Sequence, residues 1–240
     1  MDAIRGFCFY VVLGVTVIFL SLAALLAAPF TNEVWRYEKL CRPWAKFILR
    51  TLEVICGVHV KVEGWENMPP AESAHVVLAK HQSAWDPFWL GAWLPARASF
   101  LYKKSLHWIP VVGWLIWSMN MLAIDRSQGR SAFQNFMAKG PEYLRRGWWI
   151  CLFPERTRVP PGESWPLKTG GARFAVAHGV PILPIAHNAG RCWPKNSIAK
   201  HPGTITVVIG KPIETTGREP HELTESLRTW FAETEERISR

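Results

Sequence analysis

Cysteine is sparse and scattered. The five cysteines, Cys8, Cys41, Cys56, Cys151 and Cys192, form no close pair and no metal-ligand spacing, which excludes a disulfide framework and a zinc site and makes a reduced, cytoplasm-facing protein the default. The chain also has no internal repeat, no low-complexity tract, no G-x-S-x-G and no G-x-G-x-x-G. Hydrolase-elbow and dinucleotide-binding readings lose their usual support. Charge is missing from one long stretch. Between Arg5 and Glu33 there is no charged side chain, and the run FCFYVVLGVTVIFLSLAALLAA at 7–28, at about 1.5 Å per residue, is long enough to cross a hydrocarbon core of about 30 Å. It reads as a membrane helix. The rival, a cleaved signal peptide, is disfavoured because Asp2 and Arg5 precede the run and no clear A-x-A site precedes Pro29.

What is present is a chain of 240 residues, the size of one α/β domain with length left for an accessory element. The formal charge of +9 implies an anionic partner, without choosing among nucleic acid, phospholipid headgroups and an acidic carrier. Fourteen tryptophans, many beside apolar runs with lysine or arginine close by, as at Trp44, Trp108, Trp114 and Trp117, favour a membrane interface. Nucleic acid is therefore not the expected partner. In residues 34–57, Tyr37, Cys41, Trp44, Ile48, Leu52 and Ile55 recur at helical spacing, with Lys39, Arg42, Lys46 and Arg50 on the opposite face. This is the pattern of a basic helix lying among headgroups, kinked or restarted at Pro43; packing on the protein's own core is the alternative. The expected organisation is a membrane helix plus a basic amphipathic helix over 1–57, then an α/β domain over 58–240. The basic residues after the first helix place that domain on the cytoplasmic side if the helix spans. A re-entrant hairpin in one leaflet would leave both helix ends on that same side.

From Val58 onward, short apolar runs alternate with helical stretches and Gly or Pro breaks, as in an α/β domain. Strands are expected near 58–63, 75–80, 98–102, 121–125, 149–153, 181–186 and 204–209, and helices near 87–93, 111–119, 130–146, 171–178 and 220–238. The uncharged stretch at 105–122 suits an acyl groove, a lipid contact or a buried core helix.

One octapeptide carries most of the chemistry. In HQSAWDPF at 81–88, His81 leaves a strand, and Asp86-Pro87 reads as a helix start with Asp86 as N-cap. On one helix the two side chains would stand about 140° apart; a turn between them instead lets the carboxylate fold back to the imidazole. The bland alternative makes Asp86 only a cap and His81 only a polar strand end. Other polar residues also gather at strand ends: Lys80, Lys103 and Lys104, Asp125 and Arg126, then Glu155, Thr157 and Arg158. Ligands bind outside the carboxyl ends of strands in open α/β sheets, so a base, a carboxylate and several cations are expected to converge on one edge. Each singly would be an ordinary solvated charge.

KHQSAWD at 80–86, MLAIDR at 121–126, FPERTR at 153–158 and VPILPIA at 180–186 resemble, in order and spacing, four blocks of the glycerolipid acyltransferases. The nearest members are the bacterial lysophosphatidic acid acyltransferases. Lys80 stands where Asn often precedes the histidine, and Arg156 stands where F-P-E-G-T-R has glycine, a position that would suit φ > 0. The resemblance implies a mixed central sheet flanked by helices, with a membrane-bound N-terminus. It also implies transfer of an acyl group from a thioester, acyl-CoA or acyl carrier protein, to the free hydroxyl of lysophosphatidic acid. No cofactor or metal is then needed, only those co-substrates and membrane phospholipid as partners. The expected location is the bacterial inner membrane, cytoplasmic face. His81 would be the general base and Asp86 its orienter. The resemblance assigns acceptor binding to Arg126, Glu155, Thr157 and Arg158, and the strand-end reading adds Lys103 and Lys104. The rival readings are the same chemistry on another acceptor, a non-catalytic lipid-binding protein, and a thioesterase using water.

Overall fold

A computed structural model describes residues 1–119, 121–125, 129–163 and 165–239. Its centre is a six-stranded sheet formed by β1 (Val58–Glu63), β2 (Val76–Ala79), β3 (Arg97–Phe100), β6 (Trp148–Leu152), β7 (Ile182–His187) and β8 (Gly203–Ile209). The strand order is β1-β8-β7-β2-β6-β3. All neighbours run parallel except β7 and β8, so the sheet is mixed, as expected. Among the described residues, β4 (Tyr102–Lys103) and β5 (Ala123–Ile124) pair with each other as a separate two-stranded sheet. The expected strand at 121–125 therefore exists as two residues outside the main sheet.

β2 shows why this segment is central. All four residues of VVLA are buried, and they alternate between two cores. Val77 and Ala79 face one, with Trp85, Trp89, Ile48 and Leu52; Val76 and Leu78 face the other, with Phe136, Phe174, Leu227 and Phe231. A strand buried on both faces reads as a continuous apolar run. The first core is covered by α1 (Asp2–Ala27), α3 (Arg42–Cys56) and α4 (Asp86–Trp93), the second by α6 (Arg130–Arg145), α7 (Gly170–His178) and α8 (Pro220–Ser239). Gly171 marks one close approach, because a Cβ there would meet Leu78 Cδ2 at 2.6 Å. α7 thus lies directly over β2.

The N-terminal segment departs from expectation in its facing. Helix runs from Glu33 to Cys56 through α2 (Glu33–Arg36), a π turn at Tyr37–Cys41 and α3. Pro43 sits in the first turn of α3, directly after that π turn, where the unbroken helix takes up its missing N–H. Tyr37, Ile48, Leu52 and Cys56 are buried in the first core. The apolar face expected among headgroups instead packs on the protein's own core, with Cys41, Trp44 and Ile55 half-buried at its margin. Of the opposing basic face, Arg42 donates to Ala96 O at 2.9 Å and Lys46 lies over the Trp93 ring.

α1 is long and apolar enough to cross a membrane, yet both its ends are tied to the domain. Near its start, a Cβ on Gly6 would meet Ile198 O at 2.0 Å, Asp2 reaches His201 at 3.0 Å, and Phe9 packs edge-on against Trp193. Beyond its end, Arg36 donates to Ala28 O at 3.4 Å and to Ser118 O at 2.7 Å, the latter on α5 (Val112–Ser118). The outward face keeps Ile4, Phe7, Val11, Val15, Phe19, Leu22 and Leu26 exposed. Trp108 and Trp117 are exposed as well.

Candidate active site

β2, β6 and β7 run in parallel, so their carboxyl ends deliver three segments to one edge: His81–Asp86, Phe153–Val159 and His187. The backbone of His81 is held on both sides by the second segment. Its N–H donates to Glu155 Oε2 at 2.6 Å, and its carbonyl accepts from Val159 N at 2.7 Å. Its ring stacks on Phe153, centroids 4.1 Å apart. The imidazole meets Asp86 through Nδ1···Oδ2 at 2.8 Å.

Asp86 is the first residue of α4, not the residue preceding it as expected, and its side chain points backwards. Oδ2 also accepts from Gln82 N at 2.9 Å and Ser83 N at 3.1 Å. The carboxylate therefore organises the turn that brings it to the histidine, in place of capping its own helix. Ser83 completes the turn by accepting from Trp85 N and donating to Trp193 O. Asp86 is buried, and a buried carboxylate persists as an anion only where donors surround it. Because Nδ1 is engaged, Nε2 is the nitrogen through which His81 can take a proton.

His187, which sequence reasoning passed over, stands behind this pair. Asp86 Oδ1, without a hydrogen bond among the described residues, faces His187 Nε2 at 3.4 Å. Ala189 N–H donates to His187 Nδ1 at 3.3 Å, which leaves the proton on Nε2, donated to Lys80 O at 3.0 Å. The signal for it was available: it is a polar residue ending a strand, the same criterion that singled out Lys80 and His81.

Beside His81 opens a cavity of about 390 Å³ lined by Leu78, Leu101, Ile124, Phe133, Phe136 and Phe153. Three cations also line it: Arg156, Lys168 and Arg173. The sequence singles out Arg156 by its place in the FPERTR block; Lys168 and Arg173 lie around a Gly-Gly helix start, which is their signal. Arg156 is in the left-handed region at φ 63°, the conformation expected if it occupies a glycine's place.

The expected binding residues scatter. Glu155 is a correction: its carboxylate is buried and turned inward, onto Lys80 Nζ at 2.8 Å and His81 N, because two fixed donors hold it better than solvent. Burial pushes its carboxyl up, with Lys80 and the His81 N–H pulling against that. Thr157 Oγ1 and Arg158 O both accept from Lys195 Nζ, at 3.4 and 3.2 Å, and neither lines the cavity. Lys103 and Lys104 are exposed; Lys103 pairs in register with Ile124 of the cavity wall. Arg126 lies outside the described residues.

A base held by a carboxylate, next to an apolar cavity with cations along its wall, suits transfer of an apolar group onto an anionic molecule. The chain belongs to the acyltransferase family, whose model, described as Acyltransferase, matches residues 59–188. It is 37% identical over its whole length to the 1-acyl-sn-glycerol-3-phosphate acyltransferase of Pseudomonas aeruginosa, covering 93% of that protein. The protein of the same description from Saccharomyces cerevisiae is 32% identical over 71% of this chain and 57% of its own length. The crystal structure of the 1-acyl-sn-glycerophosphate (LPA) acyltransferase PlsC from Thermotoga maritima superposes with a TM-score of 0.82 at 24% identity, covering 99% of this chain and 96% of that one. It shares the fold.

Proposed function

We propose that this O-acyltransferase moves an acyl group from a thioester to the free hydroxyl of lysophosphatidic acid, giving phosphatidic acid. The observation that carries the proposal is the His81–Asp86 pair opening onto a cavity both apolar and cationic, in a chain whose relatives are named for that acceptor. The acceptor hydroxyl attacks the thioester carbonyl while His81 Nε2 takes its proton. As the C–S bond breaks and the ester C–O bond is kept, the imidazolium returns the proton to the departing thiolate. Asp86 fixes the productive tautomer and stabilises the imidazolium.

The acceptor's phosphate is assigned to Lys168, Arg173 and Arg156, beside the N-terminus of α7, where helix polarity adds to their charge. The acyl chain is assigned to the aromatic part of the cavity. The donor is acyl-CoA or acyl carrier protein, and the scheme uses no metal or prosthetic group. Membrane association is consistent with α1. With both ends of α1 tied to one domain, we read it as lying along one leaflet with its exposed stripe in lipid, and we assign the domain to the cytoplasmic face of a bacterial inner membrane. The test is incubation of the purified protein in detergent with labelled acyl-thioester and a panel of acceptors: lysophosphatidic acid, glycerol 3-phosphate and a neutral lyso-lipid. Phosphatidic acid as the dominant product is expected; preference for either other acceptor, or release of free fatty acid alone, overturns the assignment.

A further inference from the structure

The family match ends at residue 188, but the polar network around His81 does not. Lys80, next to the base, is buried with its ammonium 2.8 Å from Glu155 Oε1 and 2.8 Å from Glu235 Oε2. Glu235 belongs to the last turns of α8. Its other oxygen accepts from Gln82 Nε2 at 2.7 Å and from Gly162 N at 3.1 Å, and Gln82 Oε1 accepts from Gly190 N at 3.2 Å. One carboxylate on the C-terminal helix thus touches the residue before His81, the residue after it and the loop following β6.

We infer that Glu235 is a positioning residue for catalysis, holding Lys80 and Gln82 so that Glu155 keeps its second oxygen on the His81 N–H. Two carboxylates share one buried ammonium at equal distance. Burial works against the charge on Lys80, but Glu155 and Glu235 together outweigh it and hold the ammonium above its ordinary value. Removing the anion at 235 leaves Glu155 as the one carboxylate paired with Lys80 among the described residues. Attraction then draws it toward Lys80 and off the amide of His81, since an ion pair in a low-dielectric site is strong and an amide bond weaker. A glutamine there has one acceptor oxygen for two sides, so either Lys80 or the pair of Gln82 Nε2 and Gly162 N–H meets an NH2 group instead. The base would keep its Asp86 partner but lose the backbone clamp that aims it, and small misplacements of a base cost rate steeply.

This inference rests on the reading of His81 as the base, and its test separates the two. Glu235→Gln, which keeps the shape of the side chain, is compared with wild type in three measurements: melting temperature, steady-state kinetics with lysophosphatidic acid, and amide hydrogen exchange of peptides covering 80–83. The expected result is kcat lower by about tenfold with both KM values within about twofold, melting close to wild type, and faster exchange confined to the 80–83 segment and residue 162. Unchanged kcat and unchanged exchange overturn the inference, as does a loss confined to KM. If Glu235→Gln fails to fold, Gln82→Met decides in its place, since it removes the bonds to Glu235 and from Gly190 N and leaves every charge: a several-fold loss of kcat supports the inference, and full activity overturns it. If wild type itself does not acylate lysophosphatidic acid, the proposed function fails, and the exchange measurement still decides whether Glu235 clamps the His81 segment.

Discussion

The corner around His81 and the cavity beside it are built on opposite plans. In the corner, the N–H, carbonyl and Nδ1 of one histidine and three donors to one carboxylate oxygen are all engaged within 3.1 Å. Along the cavity wall, the exposed cations Arg156, Lys168 and Arg173 stand among aromatic rings. A general base must be aimed to a fraction of an ångström, and the backbone and Nδ1 of His81 are each held by a partner. A site for a long chain and a phosphate needs area, shape and charge, and can be assembled from side chains drawn from several elements. Rate is therefore expected to depend on the corner, and choice of substrate on the wall.

The comparison is broken most directly at His81. His81→Ala is expected to lower kcat by about 10² to 10⁴, the range for losing general-base catalysis, with acceptor KM little changed. Steady-state kinetics of the folded variant check this. Retention of more than about a third of the activity would remove the histidine from the mechanism and make the corner a structural device. A loss expressed in KM would show that corner and wall are not separable.

A smaller effect is expected at the wall. Lys168→Ala should raise the KM for lysophosphatidic acid by roughly tenfold, about 1.4 kcal/mol and the low end for a charged hydrogen bond, because an exposed cation is partly screened. kcat and the donor KM should move little. Arg158→Ala sharpens the result: its carbonyl neighbours Lys195 outside the cavity, so an equal or larger loss there would put the phosphate on that outer face. A change in donor KM alone would assign Lys168 to the carrier's phosphates.

The same contrast explains what the sequence made legible. The corner is contiguous: 80–86 and 153–159 each follow a strand, and the two segments needed only parallel neighbours to meet. Four residues between His81 and Asp86 allow a turn, and the turn is there. The sense of the Asp86 side chain was not legible, because capping forward and reaching backward start from the same Asp-Pro pair. The wall draws on Leu78, Ile124, Phe136, Lys168 and Arg173 from separate elements, and no local pattern ties such residues together. Glu155 misled for a related reason. A carboxylate beside two arginines reads as a binding group, whereas its buried partner, Lys80, lies 75 residues away in sequence. In the N-terminal helices, periodicity found the apolar face of 34–56 but could not say whether lipid or protein covers it, since both satisfy the same stripe.

Arg156 belongs to both regions, and the smallest predicted effect lies there. Its φ of 63° costs an L-residue roughly 1 kcal/mol that glycine avoids. That turn, closed by Arg156 N donating to Phe153 O at 2.9 Å, carries the loop to Glu155 and Val159, the two groups that hold His81. The side chain, meanwhile, lines the cavity. Arg156→Gly should therefore separate backbone from charge. Relief of the left-handed strain, less the greater chain freedom of glycine when unfolded, is expected to leave a net gain of about 0.5 kcal/mol, or a melting temperature higher by roughly 1 to 2 °C. Loss of the cation is expected to raise the acceptor KM about threefold while kcat stays within about twofold. Thermal unfolding and kinetics on the same preparation check both. A lower melting temperature would mean that the contacts of the arginine side chain outweigh the strain of its backbone. A fall in kcat without a change in KM would place Arg156 with the corner, as a residue that shapes the loop holding the base.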